Sequence, residues 1–233
     1  MNALPAYCAP LLEHWPLPRP LAGARLVSTR FDAAALQPGD FALSGIDAPK
    51  GAGKRQAEFL AGRLCAREAL RLIGRQAVPT VGEDRAPQWP AGIRGSITHS
   101  HGQAAAVAAA EHAWRGLGLD LERLLSRERA ARLAGEILTP AELQRLAAQP
   151  EEQRAHLVTL TFSLKESLFK ALYPLVLKRF YFEHAELLEW SAAGDARLRL
   201  LIDLAPEWRA GAELHGQFSL FDGRLLSLVG IPA

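Results

Sequence analysis

Apolar and polar positions alternate with two different periods along this chain. Over residues 54–73, KRQAEFLAGRLCAREALRLI, the apolar side chains Phe59, Ala66, Leu70 and Ile73 recur at helical spacing. Arg63, Arg67 and Arg71 follow at i+4 steps on another face, and Gly74 supplies a stop. A second helical pattern covers residues 158–173, VTLTFSLKESLFKALY, and is read as ending at Pro174. Residues 124–148 also read as helical, with a break at LTPAEL. There Thr139 can cap a new helix, Pro140 takes its first position and Glu142 completes a capping box.

Elsewhere the pattern favours strands. ARLVSTRF, GSITHSHGQAAAVAAA and GLGLDLE are read so, as are ARLRLLI, ELHGQFSLF and RLLSLVGI near the C-terminus. The last two are joined by Asp222-Gly223, a hairpin turn signal. TVGEDRAPQWPAG reads as a loop, and residues 1–50 are rich in proline and turns. The order of helix, strands, helices, strands is an α+β arrangement, not a regular βαβ alternation. It suggests two similar halves, 1–114 and 115–233, each a long helix on a small sheet, although no residue-level repeat links them.

Composition narrows the class. The chain has 233 residues, 49% hydrophobic and 22% charged, which suits a globular fold with a substantial core. A formal net charge of +2 makes no global case for nucleic acid or an anionic membrane, so an anionic ligand must be met by local basic clusters. The two cysteines, Cys8 and Cys65, form no CxxC motif, and Cys65 falls in an apolar helical pattern that predicts a buried thiol. The proline-broken start has neither the basic opening of a signal peptide nor the length of a membrane span, so a cytoplasmic protein is expected.

The candidate chemistry centres on GLGLDLE. On a strand Asp120 and Glu122 face the same side, and two close carboxylates repel unless a proton or cation lies between them. Oxygen-only ligands suit a hard cation such as Mg²⁺, and a solvated strand end is the alternative. In FSLKESLFK, Glu166 and Lys170 lie four apart on one helical face. Alone they amount to a surface ion pair of about 0.3 kcal/mol. Beside Asp120 and Glu122 they offer a third carboxylate and a counter-charge for phosphate. Thr98, His99 and Ser100 form a polar knot suited to phosphate binding, or a turn bonding its own backbone. Lys54, Arg55, Arg63 and Arg85 are further basic candidates. The other histidines show no ligand spacing, no G-x-S-x-G is present, and GAGKRQ lacks the full P-loop pattern, which excludes a P-loop nucleotide triphosphatase.

Taken in order, KRQAEFLAGRLCAR, GEDRAP, GSITHS, GLGLDLE, LTPAE and FSLKESLFKALYP resemble the surfactin-type 4′-phosphopantetheinyl transferases, within them the enterobactin synthase component D-like branch. The resemblance runs from about residue 40 to 175. It implies a pseudo-dimeric α+β fold with coenzyme A between the halves. It implies transfer of the phosphopantetheine arm to a serine of an acyl, peptidyl or aryl carrier protein, with adenosine 3′,5′-bisphosphate leaving. By the same resemblance Asp120, Glu122 and Glu166 hold Mg²⁺, Glu166 helps deprotonate the serine, and Lys170 contacts the phosphates. Thr98 and His99 contact coenzyme A, His99 with a catalytic part, and Lys54, Arg55, Arg63 and Arg85 lie along it. A monomer serving fatty acid, siderophore or polyketide synthesis is expected.

The chain departs from the family pattern at four positions. Thr98 replaces the commoner serine, Phe162 a common tryptophan and Ser96 a common asparagine, while GEDRAP has Arg85 for a lysine and an extra residue before proline. For docking an acidic carrier, LVLKRFYFEHAELL offers Lys178, Arg179, Phe180 and Tyr181, or else is a strand whose aromatics are core. Two other functions use the same residues: a Mg²⁺-dependent phosphohydrolase of a nucleotide or coenzyme A diphosphate, and a coenzyme A-binding adaptor without turnover.

Overall fold

The structure, a computed structural model, describes residues 4–233. Two compact units make up the chain. One holds the residues before Pro16, Leu21–Trp114 and Ala233, and the other holds Pro16–Pro20 and Arg115–Pro232.

The first unit contains strands β1 (Leu12–Glu13) and β2 (Arg25–Arg30), helices α1 (Asp40–Ser44) and α2 (Gly53–Leu72), the short β3 (Thr80–Val81) and β4 (Pro87–Gln88), then β5 (Ile93–Ser100) and β6 (Gln103–Ala110). Its main sheet has the order β1-β2-β6-β5, antiparallel throughout. Helix α2 buries Leu60, Ala61, Leu64 and Cys65 against Ala104, Ala106 and Ala108 of β6. AAAVAAA has helix-favouring alanines, yet it forms a strand paired on both sides, because small side chains let α2 lie close. The loop expected at TVGEDRAPQWPAG carries the β3–β4 hairpin.

The second unit runs β7 (Trp114–Arg123), α3 (Arg127–Ile137), α4 (Pro140–Ala147), α5 (Glu151–Val176), β8 (Ala185–Trp190), β9 (Asp195–Leu200), β10 (Glu213–Phe221) and β11 (Arg224–Pro232). The sheet order is β7-β11-β10-β9-β8. Asp222 and Gly223 both take positive φ in the β10–β11 turn, as the hairpin signal requires. Leu160, Leu164, Leu168 and Leu172 of α5 pack on Leu198, Leu225 and Val229 of the sheet, while Val158 and Phe162 meet Ala130, Ala134 and Ile137 of α3.

Each unit thus sets one long helix on a mostly antiparallel sheet, the α+β plan expected for the two halves. Two boundaries differ. Helix α5 begins at Glu151, and Pro174 lies inside it, not at its end. A proline ring is compatible with helical φ; it removes its own N–H bond and crowds the carbonyl one turn back, yet the helix continues for two more residues and closes through the Leu177 N–H on Tyr173 O at 2.8 Å. Cys65 is a buried free thiol as expected. Among the described residues no helix is long and apolar enough to cross a membrane.

Candidate active site

The alternating glycines of GLGLDLE explain how the site is built. A Cβ on Gly118 would collide with Ser167 O, and one on Gly116 with Ala171 O, so only glycine lets β7 lie directly on the α5 backbone. Leu117, Leu119 and Leu121 are buried on the opposite side of the strand. Continuing the glycine side of the strand brings Asp120, then Glu122, against α5.

Asp120 is 3% exposed and both of its oxygens are held. Lys170 Nζ donates to Oδ1 at 2.6 Å and to Leu119 O at 3.2 Å, while Ser163 Oγ donates to Oδ2 at 2.8 Å. Lys170 therefore reaches across to the strand, not along its own helix to Glu166. Burial pushes the Glu122 carboxyl up to about 7, with help from Asp120 and Glu166 and against Lys170 and Arg129. Burial also raises Glu166, reinforced by Asp120 and opposed by Lys170. Asp120 and Lys170 are in direct contact, and Glu122 and Glu166 lie near enough to feel both charges.

Among the described residues no three His, Cys, Asp or Glu side chains stand ready-made around one point for a metal. The donor chemistry nevertheless fits a hard divalent cation: the donors are all oxygen, and the site carries repulsion that a cation would relieve.

Beside Glu166 opens a cavity of about 160 Å³ lined by Phe169, Arg179, Phe180, Tyr181 and Phe182. Phe180 belongs to the core, whereas Tyr181 is exposed, so the aromatic run 180–182 is divided between packing and surface. The wall is fixed by Lys165, whose Nζ donates to Phe182 O and Ile137 O, each at 2.9 Å, and to Glu142 Oε2 at 2.6 Å. Burial lowers the Lys165 pKa against the opposing pull of Glu142. Glu142 also closes the capping box with Thr139 and accepts the Leu187 N–H at 2.6 Å.

The basic candidates and Thr98-His99 all lie in the first unit. Lys54 and Arg55 are exposed on the first turn of α2. His99 is exposed on β5 with Nδ1 3.8 Å from Glu58 Oε2, while Thr98 is buried because neighbours on a strand face opposite ways. Arg85 is exposed at a left-handed turn position, φ 71°. Arg63 differs from the others. It is 6% exposed, lies over the Phe59 ring at 4.8 Å and donates to Thr80 O at 3.2 Å. Burial lowers its pKa to about 10.

Ser163, Ser227, Lys165 and Glu142 escaped the sequence reading as site supports. A weak signal existed: Ser227 is the lone hydroxyl in the apolar run RLLSLVGI.

The model of the 4′-phosphopantetheinyl transferase N-terminal domain matches residues 48–109, and that of the 4′-phosphopantetheinyl transferase superfamily matches residues 116–223. The chain belongs to the 4′-phosphopantetheinyl transferase superfamily. Over 163 residues it is 42% identical to enterobactin synthase component D of Salmonella typhi, covering 69% of this chain and 67% of that protein. It is 39% identical over 152 residues to the 4′-phosphopantetheinyl transferase Svp of Streptomyces mobaraensis, covering 64% and 61%. Among solved structures it is similar to the holo-[acyl-carrier-protein] synthase of Thermotoga maritima, with TM-score 0.39 and 24% identity over 49% of this chain and 61% of that one. In this transferase the first matched segment contains Lys54, Arg55, Arg63, Arg85, Thr98 and His99. The second contains Asp120, Glu122, Glu166 and Lys170.

Proposed function

We propose that this chain transfers the 4′-phosphopantetheine group of coenzyme A to a serine hydroxyl of an acyl, peptidyl or aryl carrier protein. The serine oxygen forms a bond to the phosphorus that bears the pantetheine arm. The bond from that phosphorus to the bridging oxygen breaks, and adenosine 3′,5′-bisphosphate leaves with the electron pair. The serine proton passes to Glu166, directly or through water. Burial makes Glu166 a better base than an ordinary surface carboxylate.

Asp120, Glu122 and Glu166 would hold Mg²⁺, which when bound neutralises the diphosphate. Lys170, placed 2.6 Å from Asp120, adds a positive charge for the leaving bisphosphate. The basic side chains of the first unit, with Thr98 and His99, serve the adenosine and phosphate end. The cavity beside Glu166 suits the uncharged arm, because Phe169, Phe180, Tyr181 and Phe182 make up half of its lining. A cytoplasmic monomer is part of this reading.

The observation behind the proposal is the Asp120–Lys170 pair, with Glu122 and Glu166 electrostatically coupled to it, in a chain of this family. The family match lends no support to a phosphohydrolase. The test is mass spectrometry of an apo carrier protein incubated with the chain, coenzyme A and Mg²⁺. A gain of one phosphopantetheine mass on the serine is expected. Adenosine bisphosphate released equally without carrier would indicate hydrolysis instead.

A further inference from the structure

Behind Asp120 lies a row of hydroxyls that packing alone does not call for. Ser163 and Ser167 of α5 and Ser227 of β11 are all completely buried. Ser227 Oγ lies 2.8 Å from both Ser163 Oγ and Ser167 Oγ, and Ser167 also donates to Ser227 O at 3.1 Å. Ser163 spends its proton on Asp120 Oδ2 at 2.8 Å. Its oxygen must then accept from Ser227, which fixes the direction Ser227 to Ser163 to Asp120, while the one Ser167 proton is shared between Ser227 O and Ser227 Oγ. Thr159 and Thr161 on the same helix instead bond the carbonyls one turn back, Ala155 O and Leu157 O, the ordinary arrangement for a helical hydroxyl. Ser163 and Ser167 turn off their own helix toward the strand.

Alanine at Ser167 and Ser227 would leave an apolar contact between α5 and β11, whereas alanine at Ser163 would also take the donor from the buried Asp120 Oδ2. Buried hydroxyls are retained at the expense of desolvation, and here Ser227 and Ser163 point their protons along one path to a single carboxylate oxygen, with Ser167 bracing Ser227 from behind. With Lys170 on Oδ1 and Ser163 on Oδ2, the plane of the Asp120 carboxylate is fixed from both sides.

On the reading that Asp120 binds metal for phosphopantetheinyl transfer, we infer that Ser163, Ser227 and Ser167 are positioning residues that set the Asp120 carboxylate plane. Ser163 acts directly, Ser227 through it and Ser167 through both. None of them touches substrate.

The experiment compares Ser163→Ala, Ser227→Ala, Ser167→Ala and Ser227→Thr in turnover with coenzyme A and carrier, in thermal melting, and in Mn²⁺ binding by paramagnetic resonance without substrate. The expected kcat losses fall with distance from Asp120: about tenfold for Ser163→Ala, about threefold for Ser227→Ala and under about twofold for Ser167→Ala, with KM for coenzyme A unchanged. Mn²⁺ affinity should fall in the same order. Ser227→Thr keeps its hydroxyl on a strand that accepts β-branching, and should stay within about twofold of the parent. Equal kcat losses at the three sites, losses that follow melting temperature and not position, or unchanged Mn²⁺ affinity in Ser163→Ala would overturn the inference. A parent chain without turnover would sink the proposed function alone, since the order of Mn²⁺ affinities still decides the role of the serines.

Discussion

Lys170 and Asp120 form a partly buried ion pair at 2.6 Å, and Ser163 holds the other carboxylate oxygen. From the sequence, Asp120→Ala is expected to abolish transfer while leaving the fold intact, because it removes one of two like charges. The structure changes the second half of that expectation. Alanine would strand the Lys170 ammonium, leaving it Leu119 O as its protein acceptor. We expect Asp120→Ala to lose transfer and about 1–3 kcal/mol of stability, and Asp120→Asn to lose transfer with a smaller cost. Urea unfolding beside the carrier assay measures both. Equal stability of the parent and Asp120→Ala would show that the pair is not a stabilising contact.

The glycines of β7 give a separate test of the strand-on-helix geometry. Gly118→Ala places a methyl against Ser167 O, which cannot move without breaking the α5 ladder. A loss of about 2–4 kcal/mol is expected, with turnover falling because Asp120 is displaced. Gly135 in α3 is the control: it is exposed and a Cβ there meets nothing within 4 Å. Gly135→Ala should gain about 0.5–1 kcal/mol through helix propensity. Chemical denaturation curves for the two variants should move in opposite directions.

The long helices, the β10–β11 hairpin and the D-x-E strand were legible because each rests on local signals: periodicity, an Asp-Gly turn and a capping box. Asp120, Glu122, Glu166 and Lys170 stand out as candidates for the same kind of reason, because charged residues in apolar runs are conspicuous. The partners were not. That Lys170 bonds Asp120 depends on β7 lying against α5, a contact between segments far apart in sequence. Glu142 was read as a helix cap, which it is, but its second task of holding Lys165 needs α4 docked beside α5. Arg63 looked like its neighbours on α2, and only the covering Thr80 segment sets it apart.

Lys165 should be more important to stability than the adjacent Glu166. Its side chain is 2% exposed, and it joins α3, α4 and the segment before β8 through Ile137 O, Glu142 and Phe182 O. Lys165→Met leaves two carbonyls without this donor and the buried Glu142 carboxylate without its cation. A loss of about 3–5 kcal/mol is expected. The double variant Lys165→Met/Glu142→Gln should recover part of it, because no unpaired charge remains. A double variant less stable than Lys165→Met alone would contradict this account of the pair. Denaturant midpoints at constant m-value provide the comparison.

Glu122 predicts how the metal-free protein responds to pH. In an unfolded chain its carboxyl ionises near ~4.3, whereas in the fold burial beside Asp120 and Glu166 holds the proton up to about 7. The folded state binds the extra proton, so stability falls as pH rises between those two values, and the full penalty is present above the upper one. Glu122→Gln removes the penalty. With EDTA present the variant should match the parent near pH 4 and exceed it by about 1–3 kcal/mol near pH 8. Replacing EDTA with Mg²⁺ should stabilise the parent at the higher pH and leave the variant almost unmoved, since a divalent cation relieves the same repulsion that the amide removes. Thermal melts of both proteins under the four conditions provide the check. A variant no more stable than the parent near pH 8 in EDTA would mean that Glu122 is already ionised without cost and that the carboxylates of this site do not strain one another.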